Sequence, residues 1–367
     1  MRSAIAHLST ANLLHNLKII KDIAPNSKII AMVKANAYGH GLRSTALRLQ
    51  NHVDFLGVAA IDEAIHLRKA GVATPIVLME GVFEPEEIIL AAVDNFSIVF
   101  HNEQQLAWLK DYDSKSLISK PIAAWIKIDT GMSRLGFNLI EAPKAYQYLL
   151  ENTNNINLIG VMSHFACADQ HSHPLNIQQI NNFNCFFENT KRINHNILKS
   201  FCNSAAVFNF INQHYDIIRP GLALYGVSPI LNTSAAELQL KPVMTLQTKI
   251  IAIKNLVKNS LVGYGARFVC PRDTKVAIIA IGYGDGYPRA AVDGTPVIIN
   301  DRRCKIIGAV SMDMAVVDLS DCPNAKVGDA VILWGNGLPI EDVANFTKHS
   351  VYELLTAVQN RVKFIWD

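Results

Sequence analysis

Residues 28–41 read KIIAMVKANAYGHG: an apolar run ending at Val33, then Lys34-Ala35-Asn36-Ala37-Tyr38-Gly39-His40-Gly41. A short apolar run bounded by turn residues is the pattern of a strand buried on both faces of a parallel sheet. Seven more runs of this kind follow, at 54–59, 75–79, 97–100, 122–128, 157–162, 199–203 and 215–218. Amphipathic stretches of helical period lie between them, among them Ile61 to Ala70, Glu84 to Val93 and Ile177 to Ile193, and another, Asn12 to Ile23, precedes the first run. Eight such repeats fit a closed (β/α)8 barrel better than an open doubly wound sheet. The class is therefore α/β, with a TIM-like barrel over residues 1–232.

Past Pro229 the character changes. Strand-like runs at 246–253, 276–281, 305–310 and 330–334 are separated by turns rich in Gly and Asp, and one helical stretch, Val351 to Val362, lies near the end. This predicts a mainly β domain over residues 233–367. No low-complexity linker separates the two, so they should pack closely.

The composition excludes several functions. The chain has 367 residues, half of them apolar, and a formal charge of only +3. Its 34 basic residues are spread along the sequence rather than gathered in a run, which gives no footprint for nucleic acid or an anionic membrane. The start has no signal-like apolar segment, so a cytoplasmic location is expected. Six cysteines show neither a Cys-x-x-Cys pair nor zinc-like spacing, and neither a disulfide nor a metal is expected.

Candidate chemistry gathers at one end of the barrel strands, where such folds carry their reactive groups. Lys34 follows the first strand, Lys127 and Arg134 flank the end of the fifth, His164 follows the sixth, Asn203 and Ser204 the seventh, and Arg219 the eighth. By position alone Lys34 is either a lysine whose stem lies along a strand end or a nucleophilic amine. Ser204 and the Gly221 and Leu222 amides come from the loops after strands seven and eight, where barrels often bind phosphate. A lysine at strand one and a phosphate cradle at strands seven and eight together suggest pyridoxal 5'-phosphate across the barrel mouth.

The segments VKANAYGHG, KIDTGMSRLGF, His164-Phe165-Ala166, NSAA, RPGLALYG, GYGARF, GYGDGYPR and SMDM occur in the order seen in alanine racemases, and the chain resembles that family over nearly its whole length. The resemblance implies an isomerase that interconverts L- and D-alanine for peptidoglycan synthesis, with pyridoxal phosphate held as a Schiff base on Lys34. It implies phosphate ligands at Tyr38, Ser204, Gly221, Leu222 and Tyr352. Arg219 corresponds to the partner of the pyridine nitrogen and His164 to a residue supporting that arginine. Arg134 corresponds to a residue beside the substrate carboxylate, and Lys127 to a lysine that is carbamylated in some members.

Racemisation must remove the Cα proton on one face and deliver one on the other, which two bases do without large movement. The resemblance assigns Lys34 to the D face and Tyr264 of the other subunit in a homodimer to the L face, with Met312 and Tyr283 lining the pocket from that subunit. Two departures stand out: Gly284 where many members have alanine, and Ala309 where many have an arginine in the access corridor. A decarboxylase of the same architecture would lack the GYGARF tyrosine. A carrier of the cofactor would lack the second domain. Breadth of substrate among small amino acids is left open.

Overall fold

The computed structural model describes residues 3–115, 117–118, 120–151, 155–190 and 196–367. Eight parallel strands close into a barrel: β2 (Lys28–Met32), β3 (Phe55–Val58), β4 (Ile76–Leu78), β5 (Phe96–Phe100), β6 (Ile122–Lys127), β7 (Ile156–Met162), β8 (Leu198–Asn203) and β9 (Ile217–Arg219). Each matches one of the eight runs read from the sequence. The last is displaced, because Tyr215 turns the chain with φ 50° and the strand runs on to include Arg219. Helices that include Ile61–Lys69, Glu87–Val93, Glu103–Ser114, Ala142–Glu151 and Pro174–Asn189 alternate with the strands. The helix expected over 177–193 starts earlier, at Pro174, and residues 191–193 lie outside the described residues.

Two apolar layers hold the barrel. Inside, Ile30, Met32, Val77, Met79, Val99, Trp125, Met162 and Ile217 fill the lumen, so the barrel is a packed core and not a pore. Outside, the opposite faces of the same strands meet the helices through residues such as Ile29, Ala31, Leu56, Leu78 and Ile98. This two-sided burial is why the strands read as continuous apolar runs.

The second domain is an eight-stranded sheet in the order β13-β16-β15-β14-β17-β10-β1-β18. Its strands are β1 (Ile5–Leu8), β10 (Met244–Leu256), β13 (Thr274–Ile279), β14 (Pro296–Ile299), β15 (Arg302–Ile307), β16 (Ala315–Asp318), β17 (Ala330–Trp334) and β18 (Lys363–Trp366). A small hairpin, β11 (Leu261–Val262) and β12 (Phe268–Val269), stands apart from it. The strand β1 lies within the stretch read as barrel, yet it pairs antiparallel with β10 and parallel with β18. Both ends of the described chain are thus stitched into one sheet beside the barrel. The helix expected from Val351 to Val362 ends at Thr356.

Candidate active site

Immediately after β2 the backbone does something no strand or ordinary helix does. Ala35, Asn36, Ala37 and Tyr38 all have φ between 52° and 54°, a full turn of left-handed helix. Such a conformation costs an L-residue roughly 1–2 kcal/mol each, and it persists only where the surroundings fix it. Here they do. Ala35 N donates to Glu63 Oε1 at 2.8 Å while Ala59 N donates to Glu63 Oε2 at 2.8 Å. Asn36 Oδ1 accepts from Leu42 N at 2.8 Å, and His40 Nδ1 donates to the Tyr38 and Ala37 carbonyls at 3.0 and 3.2 Å. Burial lowers the His40 pKa to about 4, keeping that ring neutral. Gly39 closes the turn against the second domain, where a Cβ would sit 2.0 Å from Leu355 O. The turn therefore carries Lys34 at the barrel mouth and plants Tyr38 beside Gly221.

The mouth is ringed by cations. Lys127, the last residue of β6, is only 8% exposed, and burial followed by the fields of Arg219, Arg134 and Lys34 lowers its pKa to about 8. Arg219, 3% exposed at the end of β9, donates from Nη1 to Ser200 Oγ at 2.6 Å and from Nη2 to Ser163 O, Phe201 O and His164 Nδ1, the last two at 3.3 Å. Burial lowers its pKa to about 10, so it stays charged at neutral pH. His164 is pushed well below the usual histidine range by burial and by Arg219, so its Nδ1 is free to accept. Among the described residues the Arg219 Nε–H has no protein acceptor. It remains a donor for a ligand.

Beside Lys34, where β9 pairs with β2, lies an anion cradle. Ser204 Oγ accepts from Gly221 N at 2.7 Å and from Ala223 N at 3.3 Å, which leaves its own proton to donate. Tyr38 and Tyr352 have ring centroids 6.0 Å apart, and Tyr38 stacks on Tyr225 at 4.9 Å. Burial, with Tyr352 beside it, pushes the Tyr38 phenol up, so it is a donor and not an anion. A Cβ at Gly221 would fall 2.3 Å from the Tyr38 hydroxyl, which makes room for both groups only with glycine there. Arg134 sits in the loop after β6, a loop shaped by Asp129 Oδ1 accepting from the amides of Gly131, Met132 and Ser133.

Two acidic residues were missed in the sequence. Glu80 Oε1 lies 3.5 Å from Lys34 Nζ, and Glu63 holds the left-handed turn. Glu80 follows the third barrel strand, at the same end as the other candidates, so position would have found it. Glu63 is a first-turn helix residue like many others and carries no such signal.

The remaining candidates lie elsewhere. Tyr264 stands on a single turn between β11 and β12, 73% exposed, and Arg267 anchors that hairpin to Gly308 O and Ala291 O at 2.7 and 3.1 Å. Met312 is 51% and Tyr283 40% exposed. Among the described residues no hydrogen bond, ion pair or ring contact links these three with Lys34, Lys127, Arg134 or Arg219. No group of histidine, cysteine and acidic side chains suited to a metal occurs among the described residues.

Comparison with known proteins places this architecture. The alanine racemase N-terminal domain matches residues 8–229 and the alanine racemase C-terminal domain matches residues 243–366. The chain is 46% identical over 364 residues to the alanine racemase of Mannheimia succiniciproducens, covering 99% of this chain and 98% of that one. It is 41% identical over 363 residues to the biosynthetic alanine racemase of an Escherichia coli strain, covering 99% and 98%. The crystal structure of biosynthetic alanine racemase from Pseudomonas aeruginosa superposes with a TM-score of 0.93 at 38% identity, covering all of both chains. With both domains matched and relatives aligned from end to end, the chain belongs to the alanine racemase family of isomerases.

Proposed function

We propose that this chain interconverts L- and D-alanine with pyridoxal 5'-phosphate as cofactor, using Lys34 on the D face of the substrate and Tyr264 of the partner subunit on the L face. The observation that carries the reading is a division of labour. The amine and the anion cradle share one barrel mouth, whereas Tyr264 is displayed to solvent on the other domain, with no hydrogen bond or ring contact to them among the described residues. A dimer that lays the hairpin of one chain over the mouth of its partner would unite the two.

The residues of the mouth fit the cofactor. Ser204 Oγ, the Gly221 and Leu222 amides and the Tyr38 and Tyr352 hydroxyls would hold its phosphate, and the Arg219 Nε–H would be the donor toward its ring nitrogen. When bound, pyridoxal phosphate supplies an electron sink for the pair left at Cα as the proton departs. Arg219 offers protons and no acceptor, which holds a facing ring nitrogen unprotonated and moderates that sink. Arg134 has the fork geometry to take the substrate carboxylate in two hydrogen bonds. Lys34 holds or releases one proton and Tyr264 the other, so each direction begins with one base and ends with its partner.

Lys127 completes the charge pattern. A pKa near 8 leaves a sizeable fraction of its amine neutral around pH 7–8. Its nitrogen lone pair attacks carbon dioxide, a C–N bond forms and one proton leaves to solvent. The resulting carbamate is an anion among Arg134, Arg219 and Lys34, where a fourth cation was unfavourable. Production of D-alanine for peptidoglycan in the cytoplasm is the role that fits this activity.

The decisive assay incubates the purified chain, loaded with cofactor, with L-alanine, L-serine and L-lysine and follows both enantiomers by chiral chromatography. Racemisation strongest with alanine supports the reading. Preferential turnover of lysine, or release of carbon dioxide, would overturn it.

A further inference from the structure

Three segments of the second domain meet at Arg361. The loop carrying Tyr283 and the loop carrying Met312 are joined by two backbone hydrogen bonds, Tyr283 N to Ser311 O at 3.1 Å and Gly284 N to Met312 O at 2.8 Å. They run so close that a Cβ on Gly282 would lie 2.2 Å from Ser311 O. Arg361, from the segment after the helix Val351–Thr356, closes over the junction. Its Nε lies 3.3 Å from Asp285 Oδ1 and its Nη2 donates to Asp313 Oδ1 at 2.5 Å. Asp285 is fully buried, and its Oδ2 accepts from Gly282 N at 3.0 Å. A buried carboxylate needs such a counter-charge.

The third guanidinium nitrogen lies over Gly284. Arg361 Nη1 is 2.5 Å from where a Cβ of residue 284 would be, and Met312 O and Cγ are 3.0 and 3.2 Å from it. Gly284 does not have a positive φ, so its backbone would accept alanine. A Cβ there would have to displace the Arg361 guanidinium and would press on Met312.

Resting on the reading that Tyr283 and Met312 wall the substrate pocket of the partner subunit, we propose that Arg361, seated on Gly284 and bridging Asp285 to Asp313, is a positioning residue that sets the spacing of that wall and so the size of amino acid admitted. Both wall side chains are exposed in their own chain, Tyr283 with the Arg289 guanidinium 5.8 Å from its ring centre. Their places follow from the backbones that carry them, and the Arg361 guanidinium spans those backbones. Its rigid fork can bridge two carboxylates at once, whereas an ammonium is a single point charge.

The test uses the dimeric holoenzyme and three variants: Arg361→Lys, Gly284→Ala and the double. Each single change should raise KM for L-alanine by about tenfold with kcat within about twofold, and lower the preference for alanine over serine by several-fold, as when uniform binding is lost. The double variant should resemble the worse single, because both break one contact. Melting temperature and bound-cofactor absorbance are measured alongside. Lower melting temperature or cofactor content with KM and preference unmoved would show a purely structural role and overturn the proposal. Should Arg361→Lys fail to fold, Gly284→Ala alone decides. Met312→Ala separates the two layers of the argument. If it shifts KM while the Arg361 and Gly284 variants do not, the clamp is wrong and the wall stands; if it shifts nothing, the wall reading falls and the clamp with it.

Discussion

The barrel mouth and the exposed face of the second domain present two kinds of candidate residue. In the mouth, Lys127, Arg219 and Ser204 are buried, Arg219 and Ser204 are hydrogen-bonded, and burial displaces the Lys127, Arg219 and His164 titrations. On the face, Tyr264, Tyr283 and Met312 lie largely open to water, carried on loops with well-anchored backbones. Burial tunes chemistry only where the chain itself excludes water. The mouth is therefore tuned within one chain, while the face can acquire its environment only when something covers it. On the proposed function that cover is the mouth of a second copy.

The most severe way to break this comparison is to remove the amine of the mouth. Lys34→Ala should abolish racemisation, and borohydride should no longer fix cofactor to the protein by mass spectrometry. Persistent covalent capture in the variant would show that another amine serves, and that the left-handed turn delivers something other than the reactive group.

Removing the face comes next. Tyr264→Ala should lower racemisation by about 10²–10⁴-fold, the usual worth of a positioned acid or base. Mixed dimers sharpen the point. Pairing a Lys34→Ala subunit with a Tyr264→Ala subunit, isolated through different tags, leaves one site with both groups intact if they come from different chains. Activity should return to about half that of the unaltered dimer. Verified mixed dimers as inactive as their parents would place Tyr264 and Lys34 in the same chain's site and undo the shared-site model.

How much of this was legible in the sequence differs between the same two regions. The barrel strands were legible because each is buried on both faces and reads as an apolar run. In the second domain the strands Pro296–Ile299 and Ala315–Asp318 are four residues each, too short to stand out between turns. The N-terminal strand Ile5–Leu8 was invisible for another reason, since its partners lie more than two hundred residues away. Lys34, Lys127, Ser204 and Arg219 were legible through their shared position at strand ends. The left-handed turn was not, because Ala and Tyr carry no preference for positive φ. It is imposed by Glu63, His40 and the close approach of Leu355 to Gly39.

A smaller loss is expected from Arg219→Glu. A carboxyl in that buried place can accept a hydrogen bond, so a facing ring nitrogen can keep a proton and become a stronger sink. Racemisation should fall by about 10²-fold while transamination rises, in line with the cofactor's chemistry. Cofactor occupancy, measured by absorbance in the same samples, corrects for weaker binding. An unchanged ratio of racemisation to transamination would mean that Arg219 does not govern that nitrogen.

The smallest effect concerns stability and pH at Lys127. Its pKa falls from 10.5 to about 8 on folding, chiefly through burial. Between those values the unfolded chain holds more protons than the folded one, so unfolding becomes harder as pH rises from about 8 towards 10.5. Below about 8 both states are protonated and the penalty of a buried charge is constant. Lys127→Met removes this titration. In carbon dioxide-free buffer, the unfolding free energy of the unaltered chain minus that of the variant should increase by about 1–3 kcal/mol between pH 7 and pH 10, at 1.36 kcal/mol per unit of displacement. Any change in packing shifts that difference by a constant and leaves its slope intact. Bicarbonate should raise the difference at neutral pH and flatten the slope, because a carbamate on Lys127 replaces repulsion from Arg134 and Arg219 with attraction. A difference that stays flat without carbon dioxide would show that the Lys127 ammonium is comfortable in the mouth, and the case for its conversion to an anion would lose its driving force.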